Sequence, residues 1–406
     1  MASDLIKQLE KDPFSVVSVG PLGVIAMPSC TELGQRVNTY LTRWRTDPSF
    51  ENKSSDDTWT IPGKDRDTYL VDVQCPRFGT GEAKGMIKES VRGYDLFILT
   101  DIANYSCTYK MYGQQVPMSP DDHWQDLKRI IGAAAGKARR ISVIMPMLYE
   151  GRQHKRSGRE SLDCALALKE LQDMGVENIL TFDAHDPRVQ NAVPLISFEN
   201  VMPTYQILKA LFREVKDFHI DPERSMVISP DEGALNRNIY YASMLGINLG
   251  MFYKRRDYTR VVDGRNPIIA HEYLGDDIAG KDVFISDDMI ASGESMLDVA
   301  RELKKRKANR VFVATTFAFF TSGLEKFDQA YNDGLIDKVF STNLTYRSPE
   351  LLARPWFAEV DMSKYIAYLI ASLNFDHSIS RLLNPYDRIQ NLLTRYHAQQ
   401  DAAGIR

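Results

Sequence analysis

A nine-residue pattern occurs twice in this chain, and it restricts the fold more than any other feature. Gly93-Tyr94-Asp95-Leu96-Phe97-Ile98-Leu99-Thr100-Asp101 and Gly280-Lys281-Asp282-Val283-Phe284-Ile285-Ser286-Asp287-Asp288 keep Gly, Asp, Phe, Ile and the final Asp in register. A basic turn feeding an apolar strand also recurs, as Arg139-Arg140-Ile141-Ser142-Val143-Ile144 and as Arg310-Val311-Phe312-Val313. Two related halves explain both repeats. Strands after tight turns also resemble one another by chance, because their periodicity is generic. Only the second copy runs on into a small-residue loop suited to phosphate. The first half is therefore expected to have kept the fold and lost that site.

Short apolar runs alternate with amphipathic stretches, the pattern of parallel sheets covered by helices. Strands are expected at Gly23–Met27, Tyr69–Val73, Asp95–Leu99, Ile141–Met145, Asn178–Thr181, Met226–Ser229, Asp282–Ser286 and Arg310–Thr316. Helices are expected from Thr31 to Trp44 and from Ser161 to Met174, where apolar residues return at three- and four-residue steps. The polar stretch from Thr46 to Asp57 reads as a surface insertion. With 406 residues, 44% of them hydrophobic, the chain is too long for one average domain. Fifty basic against 54 acidic residues give a net charge of -4, which offers no general field for nucleic acid or an acidic membrane. Any anion must be met by a local basic cluster. Cys30, Cys75, Cys107 and Cys164 are scattered without metal-binding or disulfide-scaffold spacing. No apolar run is long enough to cross a membrane, and Met1 to Pro13 carries charges where a secretory signal needs an apolar core. A cytoplasmic protein is the expectation.

The second repeat continues as Asp287-Asp288-Met289-Ile290-Ala291-Ser292-Gly293-Glu294-Ser295, followed by a helical stretch with Met296, Leu297, Val299, Ala300 and Leu303. Backbone N–H groups at a helix start, with Ser292, Gly293 and Ser295, hold a phosphate dianion without needing net positive charge. Adjacent carboxylates at the carboxyl edge of a strand accept hydrogen bonds from vicinal hydroxyls. Phosphate plus diol describes a phosphorylated ribose. An ordinary helix cap preceded by solvated acids is the plainer alternative.

This run resembles the ribose-phosphate signature of type I phosphoribosyltransferases, and other segments narrow the likeness to the ribose-phosphate pyrophosphokinases. Arg77-Phe78-Gly79-Thr80-Gly81-Glu82, with Glu89-Ser90-Val91-Arg92-Gly93, resembles that family's adenine-binding segment. Tyr149-Glu150-Gly151-Arg152-Gln153 resembles its ATP-binding loop, and Thr181-Phe182-Asp183-Ala184-His185 the strand end whose histidine binds Mg-ATP. Ser229-Pro230-Asp231-Glu232-Gly233 resembles the aspartate loop beside the ribose, and Tyr253-Lys254-Arg255-Arg256 the start of the mobile catalytic loop. The likeness spans roughly residues 70 to 380 in the family's order, which no single motif supplies.

The resemblance implies two type I phosphoribosyltransferase-like domains, each a mainly parallel sheet flanked by helices. They are expected at 1–202, with the ATP segments, and at 203–383, with the ribose-5-phosphate loop, followed by a helical extension at 384–406. It implies ATP contacts from Phe78, Thr80, Glu82, Arg152, Gln153 and His185. Ribose 5-phosphate is expected at Asp231, Asp287, Asp288, Ala291, Ser292, Gly293, Glu294 and Ser295. Mg²⁺ is the implied cofactor, with His185 and Asp231 as its candidate protein contacts, and Lys254 and Arg256 are the candidate catalytic residues. A dimer-based homo-oligomer, up to a hexamer, is implied as well, with the Phe78 segment completing a neighbour's ATP site.

Phosphoryl-type transfer needs charge neutralised on the reacting phosphates, a task for Lys254, Arg256 and Arg152. The basic triplet also reads as a solvated loop, Asp231 as a turn residue, His185 as a merely hydrogen-bonded imidazole and Phe78 as core. Departures from the family pattern bear on activity. Ala291 stands where a third acid is usual, Glu294 where a glycine is, Thr80 for Asp or Asn, and His154 for Asp. A silent regulatory homologue and a salvage phosphoribosyltransferase are the rival readings. In the extension, Ile389, Leu392, Leu393 and Tyr396 form an apolar stripe expected to pack in core or between subunits.

Overall fold

The computed structural model describes residues 18–46, 67–256 and 268–404; most of the expected insertion, from residue 47 on, lies outside them. The chain forms two compact units. In the first, β1 (Leu22–Ala26), β2 (Asp95–Leu99), β3 (Arg140–Ile144), β4 (Asn178–Phe182) and β5 (Ser197–Val201) form a five-stranded parallel sheet in that order. Its three central strands, β2 to β4, are buried almost throughout, as apolar runs covered on both faces must be. The helices α1 (Thr31–Thr46), α2 (Pro120–Ala134) and α3 (Asp163–Asp173) link the strands. The expected strand at Tyr69–Val73 contributes only the parallel bridge Val24↔Leu70 and a two-residue strand, Val73–Gln74, paired with Met86–Ile87.

The second unit opens with α4 (Thr204–Glu214) and continues through β6 (Ser225–Ser229), α5 (Leu235–Leu245), β7 (Asn248–Arg256) and β8 (Ile268–Leu274). Then come β9 (Asp282–Ile290), α6 (Glu294–Lys305), β10 (Val311–Ala318), α7 (Glu325–Asn332), β11 (Lys338–Thr342) and β12 (Phe357–Val360). The seven-stranded sheet has the order β8-β7-β6-β9-β10-β11-β12, and only β8 runs antiparallel. From β6 the chain moves toward one edge, and from β9 toward the other. A crevice opens at the carboxyl ends of strands where their connections diverge in this way.

The two repeats occupy matching places. Gly93 and Gly280 both adopt positive φ, 78° and 75°, and their N–H groups donate to Lys137 O and Lys307 O, each at 2.8 Å. At the next strand position Asp95 accepts from Nε and Nη2 of Arg140, both at 2.8 Å. Asp282 accepts from Nε and Nη2 of Arg310 at 3.1 and 2.6 Å. Equivalent bidentate pairs tie β2 to β3 and β9 to β10, which favours related halves over chance similarity.

Each Arg also reaches a helix end. Nη1 of Arg140 donates to Asp376 at 2.5 Å, just past α8 (Ser363–Asn374), and Nη1 of Arg310 donates to Asp217 at 3.0 Å, just past α4. The units are therefore not consecutive segments. Helix α8 follows the last strand of the second sheet but belongs to the first unit, where Tyr368 stacks on Trp44 of α1 with ring centroids 4.4 Å apart. Helix α4 follows the last strand of the first sheet but belongs to the second unit. Of the extension set apart at 384–406 in the linear division, residues 385–404 join the second unit. There α9 (Tyr386–Ala403) buries Ile389, Leu393 and Tyr396, with Tyr396 stacked on Phe212 at 4.2 Å. The apolar stripe is satisfied within the chain.

Candidate functional site

At the carboxyl ends of β6 and β9 the second unit gathers its polar residues. The β6–β9 ladder ends at Ile228↔Ile285, one residue before Ser286. Beyond it Asn238, fully buried on α5, substitutes for the missing strand. Its Oδ1 accepts from Ser286 N at 3.0 Å and its Nδ2 donates to Ser286 O at 2.7 Å and Ala234 O at 2.9 Å. A single carboxamide thus fixes the backbone on which Asp287 and Asp288 stand.

Asp287 Oδ1 accepts from Asp288 N, and Asp288 Oδ1 from Met289 N, at 2.9 and 2.8 Å. These bonds hold both carboxylates against their own strand. Burial pushes the Asp287 carboxyl above its ordinary range; Asp288 and Asp231 add to that shift and Arg237 opposes it. Arg237 Nη1 lies 3.7 Å from Asp287 Oδ1. Asp231, in the loop after β6, accepts from Gly233 N and Ala234 N at 3.0 and 3.2 Å, so it starts the turn and also faces the acid pair.

Past β9 the chain turns through Ala291, Ser292 and Gly293 into α6. Gly293 has φ +85°, and a Cβ there would stand 2.3 Å from the Phe327 ring. Only glycine meets both conditions. Glu294 opens the helix but pairs with Lys326 and is 62% exposed, so its charge is directed away from the turn. The first-turn N–H groups of α6, including those of Ser295 and Met296, have no intrahelical acceptor by helix geometry. N–H groups so placed can receive an anion, and they lie at the end of the strand that carries Asp287 and Asp288. The matching place in the first unit is closed. There Asp101 accepts from Ala103 N on Oδ1, and from Thr345 Oγ1 and Tyr346 N on Oδ2, and Thr100 stands where the second copy has Asp287.

Lys254 and Arg256 lie on β7, beside β6, where Lys254 pairs in register with His271 of β8. Residues 257–267, the continuation of the expected catalytic loop, lie outside the described residues.

In the first unit, Phe78 and Glu82 close a turn through Phe78 N to Glu82 O at 2.7 Å and Gly81 N to Phe78 O at 2.9 Å. Phe78 is 55% exposed, which excludes a core role, and Thr80 Oγ1 donates to the Glu82 carboxylate at 3.0 Å. The turn is held by the hairpin Thr108–Pro117, through Tyr112 N to Gly79 O at 2.9 Å, and by α2, through Arg77 to Asp126 at 2.9 Å. The loop after β3 has Tyr149 stacked on Trp124 at 4.6 Å, Glu150 at φ +53° and Arg152 exposed. Gln153 donates to Ser161 O at 2.9 Å. A cavity of about 570 Å³ beside it is lined by Asp121, Glu150, Asp163 and Glu170, a charge that rejects phosphate. His154 instead carries this loop to the end of β4, with Nδ1 3.1 Å from Asp186 and its ring 5.7 Å from that of His185. Burial holds His154 below the ordinary histidine pKa, although Asp186 opposes the shift. Asp186 is held far below the usual carboxylate range, chiefly by hydrogen bonds from Arg188.

His185 belongs to the first unit and Asp231 to the second. Among the described residues no group of three or more His, Cys, Asp or Glu is arranged to hold a metal ion.

Comparison with known proteins supplies the family. The profile described as the N-terminal domain of ribose phosphate pyrophosphokinase matches residues 22–175, and that of the phosphoribosyl transferase domain matches 197–344. The chain belongs to the ribose-phosphate pyrophosphokinase family. A ribose-phosphate pyrophosphokinase of Vibrio cholerae is 28% identical over 319 residues, 78% of this chain and 92% of that protein. One from Vibrio vulnificus is 29% identical over 320 residues, 78% and 92% of the two chains. The crystal structure of phosphoribosylpyrophosphate synthetase from Mycobacterium smegmatis superposes with a TM-score of 0.68. It covers 87% of this chain and 98% of its own at 20% identity, a likeness of fold.

Within this pyrophosphokinase family member the sequence reading missed Arg237 and Asn238. Asn238 had a faint signal, since it occupies a buried position in the apolar series Asn238, Tyr241, Ala242 and Leu245 of α5. Arg237 had none, because its approach to Asp287 depends on how α5 lies against β9.

Proposed function

We propose that the chain is a ribose-phosphate diphosphokinase that moves the β,γ-pyrophosphoryl group of Mg-ATP onto the 1-hydroxyl of ribose 5-phosphate. One observation carries the reading: the acid pair Asp287–Asp288 and the anion cradle at the start of α6 are joined by a single short turn. Asp287, Asp288 and Asp231 would accept from the ribose hydroxyls, while Ser292, Ser295 and the first N–H groups of α6 would hold the 5-phosphate. The 1-hydroxyl oxygen then bonds to the β-phosphorus of ATP, the bond from that phosphorus to the α,β-bridging oxygen breaks, AMP leaves, and the hydroxyl proton is released. Lys254 and Arg256 would neutralise charge on the transferring group. Phe78, Thr80, Glu82, Arg152, Gln153 and His185 are the proposed nucleotide contacts.

Mg²⁺ binds through one or two carboxylates together with substrate oxygens and water, so a single carboxylate such as Asp231 would hold it without a three-ligand cluster. When bound, Mg²⁺ supplies charge neutralisation at the phosphates. His185 suits a phosphate oxygen or a bridging water better than the ion itself. A cytoplasmic homo-oligomer in which the exposed Phe78 turn meets a neighbour completes the proposal. No described helix is long and apolar enough to cross a membrane.

The protein, given ATP, Mg²⁺ and ribose 5-phosphate, should release AMP and phosphoribosyl pyrophosphate in equal amounts. Binding of ribose 5-phosphate without either product would replace this reading with that of a silent regulatory homologue. Ala291, which removes an acid from the turn, favours that second reading.

A further inference from the structure

Away from this site, α4, α9 and the bend after α4 enclose a cavity of about 470 Å³ in the second unit, within the size range of small-molecule pockets. Its lining includes Lys209, Arg213, Lys216 and Arg395 and, among the described residues, contains no carboxylate. Arg213 bonds Glu214 at 2.9 Å and Glu359 O at 3.3 Å. Among the described residues no acid lies within ion-pair distance of Lys209, Lys216 or Arg395. In a chain of net charge -4, unneutralised cations around one concavity run against the general balance.

The arrangement is also held rigidly. Tyr396 Oη lies 3.0, 3.0 and 2.9 Å from the carbonyls of Val215, Lys216 and Phe218. Buried Gln400 donates to Phe218 O at 2.9 Å. These bonds fix the backbone of the helix bearing Arg395 to the bend bearing Lys216, so the places from which the cations project are set by the fold. Apolar surface accompanies the charge, from Leu392, Ala403 and the stems of the basic side chains.

We infer that this cavity is a second anion site, which takes a small molecule carrying two or more phosphate charges. Its chemistry is that of several converging cations, which match a diphosphate better than a single carboxylate. It is formed by α9, which lies beyond the residues matched by either family profile, and it does not depend on the reaction proposed above.

The test is calorimetric titration of the full chain with inorganic pyrophosphate, repeated on the double variant Lys216→Ala/Arg395→Ala and on Lys209→Ala. All three side chains are exposed, and circular dichroism will report that folding is intact. The expected result is one class of sites weakened at least about tenfold in the double variant, with AMP-releasing turnover retained. Parallel titration with a nucleoside diphosphate separates the sources: tighter binding than pyrophosphate assigns a nucleotide, and equal binding assigns the diphosphate alone. A pyrophosphate titration that the double variant leaves unchanged overturns the inference. So does binding confined to a long acidic polymer, which would give the surface to a macromolecule.

Discussion

Asn238→Ala should loosen the backbone under the acid pair without touching any candidate ligand contact. Truncation strands the N–H and C=O of Ser286, a residue with no solvent exposure to compensate. Each orphaned group costs about 1–3 kcal/mol, so local opening of β9 should become easier by about 2–6 kcal/mol. At 1.4 kcal/mol per tenfold, amide exchange at Asp282–Ile290 should speed up by roughly 30- to 20,000-fold, while β1–β5 exchange at unchanged rates. Hydrogen exchange read by mass spectrometry over that peptide measures it. Ribose 5-phosphate affinity should fall in parallel, since Asp287 and Asp288 lose their fixed support. Asn238→Asp separates size from hydrogen bonding, because it fits the space but sets a carboxylate against Ser286 O. Exchange within roughly threefold of the parent in Asn238→Ala would refute the argument that this side chain holds the strand.

Other substitutions test neighbouring claims. Asp287 keeps its proton to higher pH than an ordinary carboxyl, so above about pH 4 the folded chain binds more protons than the unfolded one and loses stability as pH rises. Asp287→Asn should therefore raise the thermal midpoint at about pH 8 more than at about pH 5; equal shifts would contradict the raised pKa. Gly293→Ala must place a methyl group against Phe327 at a left-handed φ, and denaturant titration should show a loss of about 2–4 kcal/mol. Glu294→Ala, by contrast, should change ribose 5-phosphate affinity by less than roughly threefold, because Lys326 draws that carboxylate away; a large gain would place the charge at the cradle after all. Arg140→Leu leaves Asp95 buried without its bidentate partner and should cost about 3–5 kcal/mol in a denaturation experiment.

What the sequence disclosed was what lies close along the chain. Asp95–Leu99 was read to its boundaries because an apolar run in a doubly covered sheet needs no partner to be recognised. Ser197–Val201 was not, because it is a half-buried edge strand with Glu199 and Asn200 in it. Consecutive residues such as Asp287 and Asp288 announce a site, whereas Arg237 and Asn238 acquire their roles only when α5 lies across β9. The allotment of α8 was equally hidden, since an amphipathic stripe shows that a helix has a buried face and not which sheet receives it. Glu294 looked hostile to phosphate in the linear reading, and only the position of Lys326 on α7 shows where its charge goes.

The late place of α8 in the chain has a consequence for synthesis on the ribosome. Domains generally fold in the order in which they emerge, yet here the first sheet is whole at Val201 while the helix that caps Arg140 ends at Asn374. Until that late helix emerges, the nascent N-terminal half carries an open flank where Trp44 awaits Tyr368. Cleavage of the finished chain after Met202 would likewise leave the N-terminal fragment without α8, which the other fragment holds.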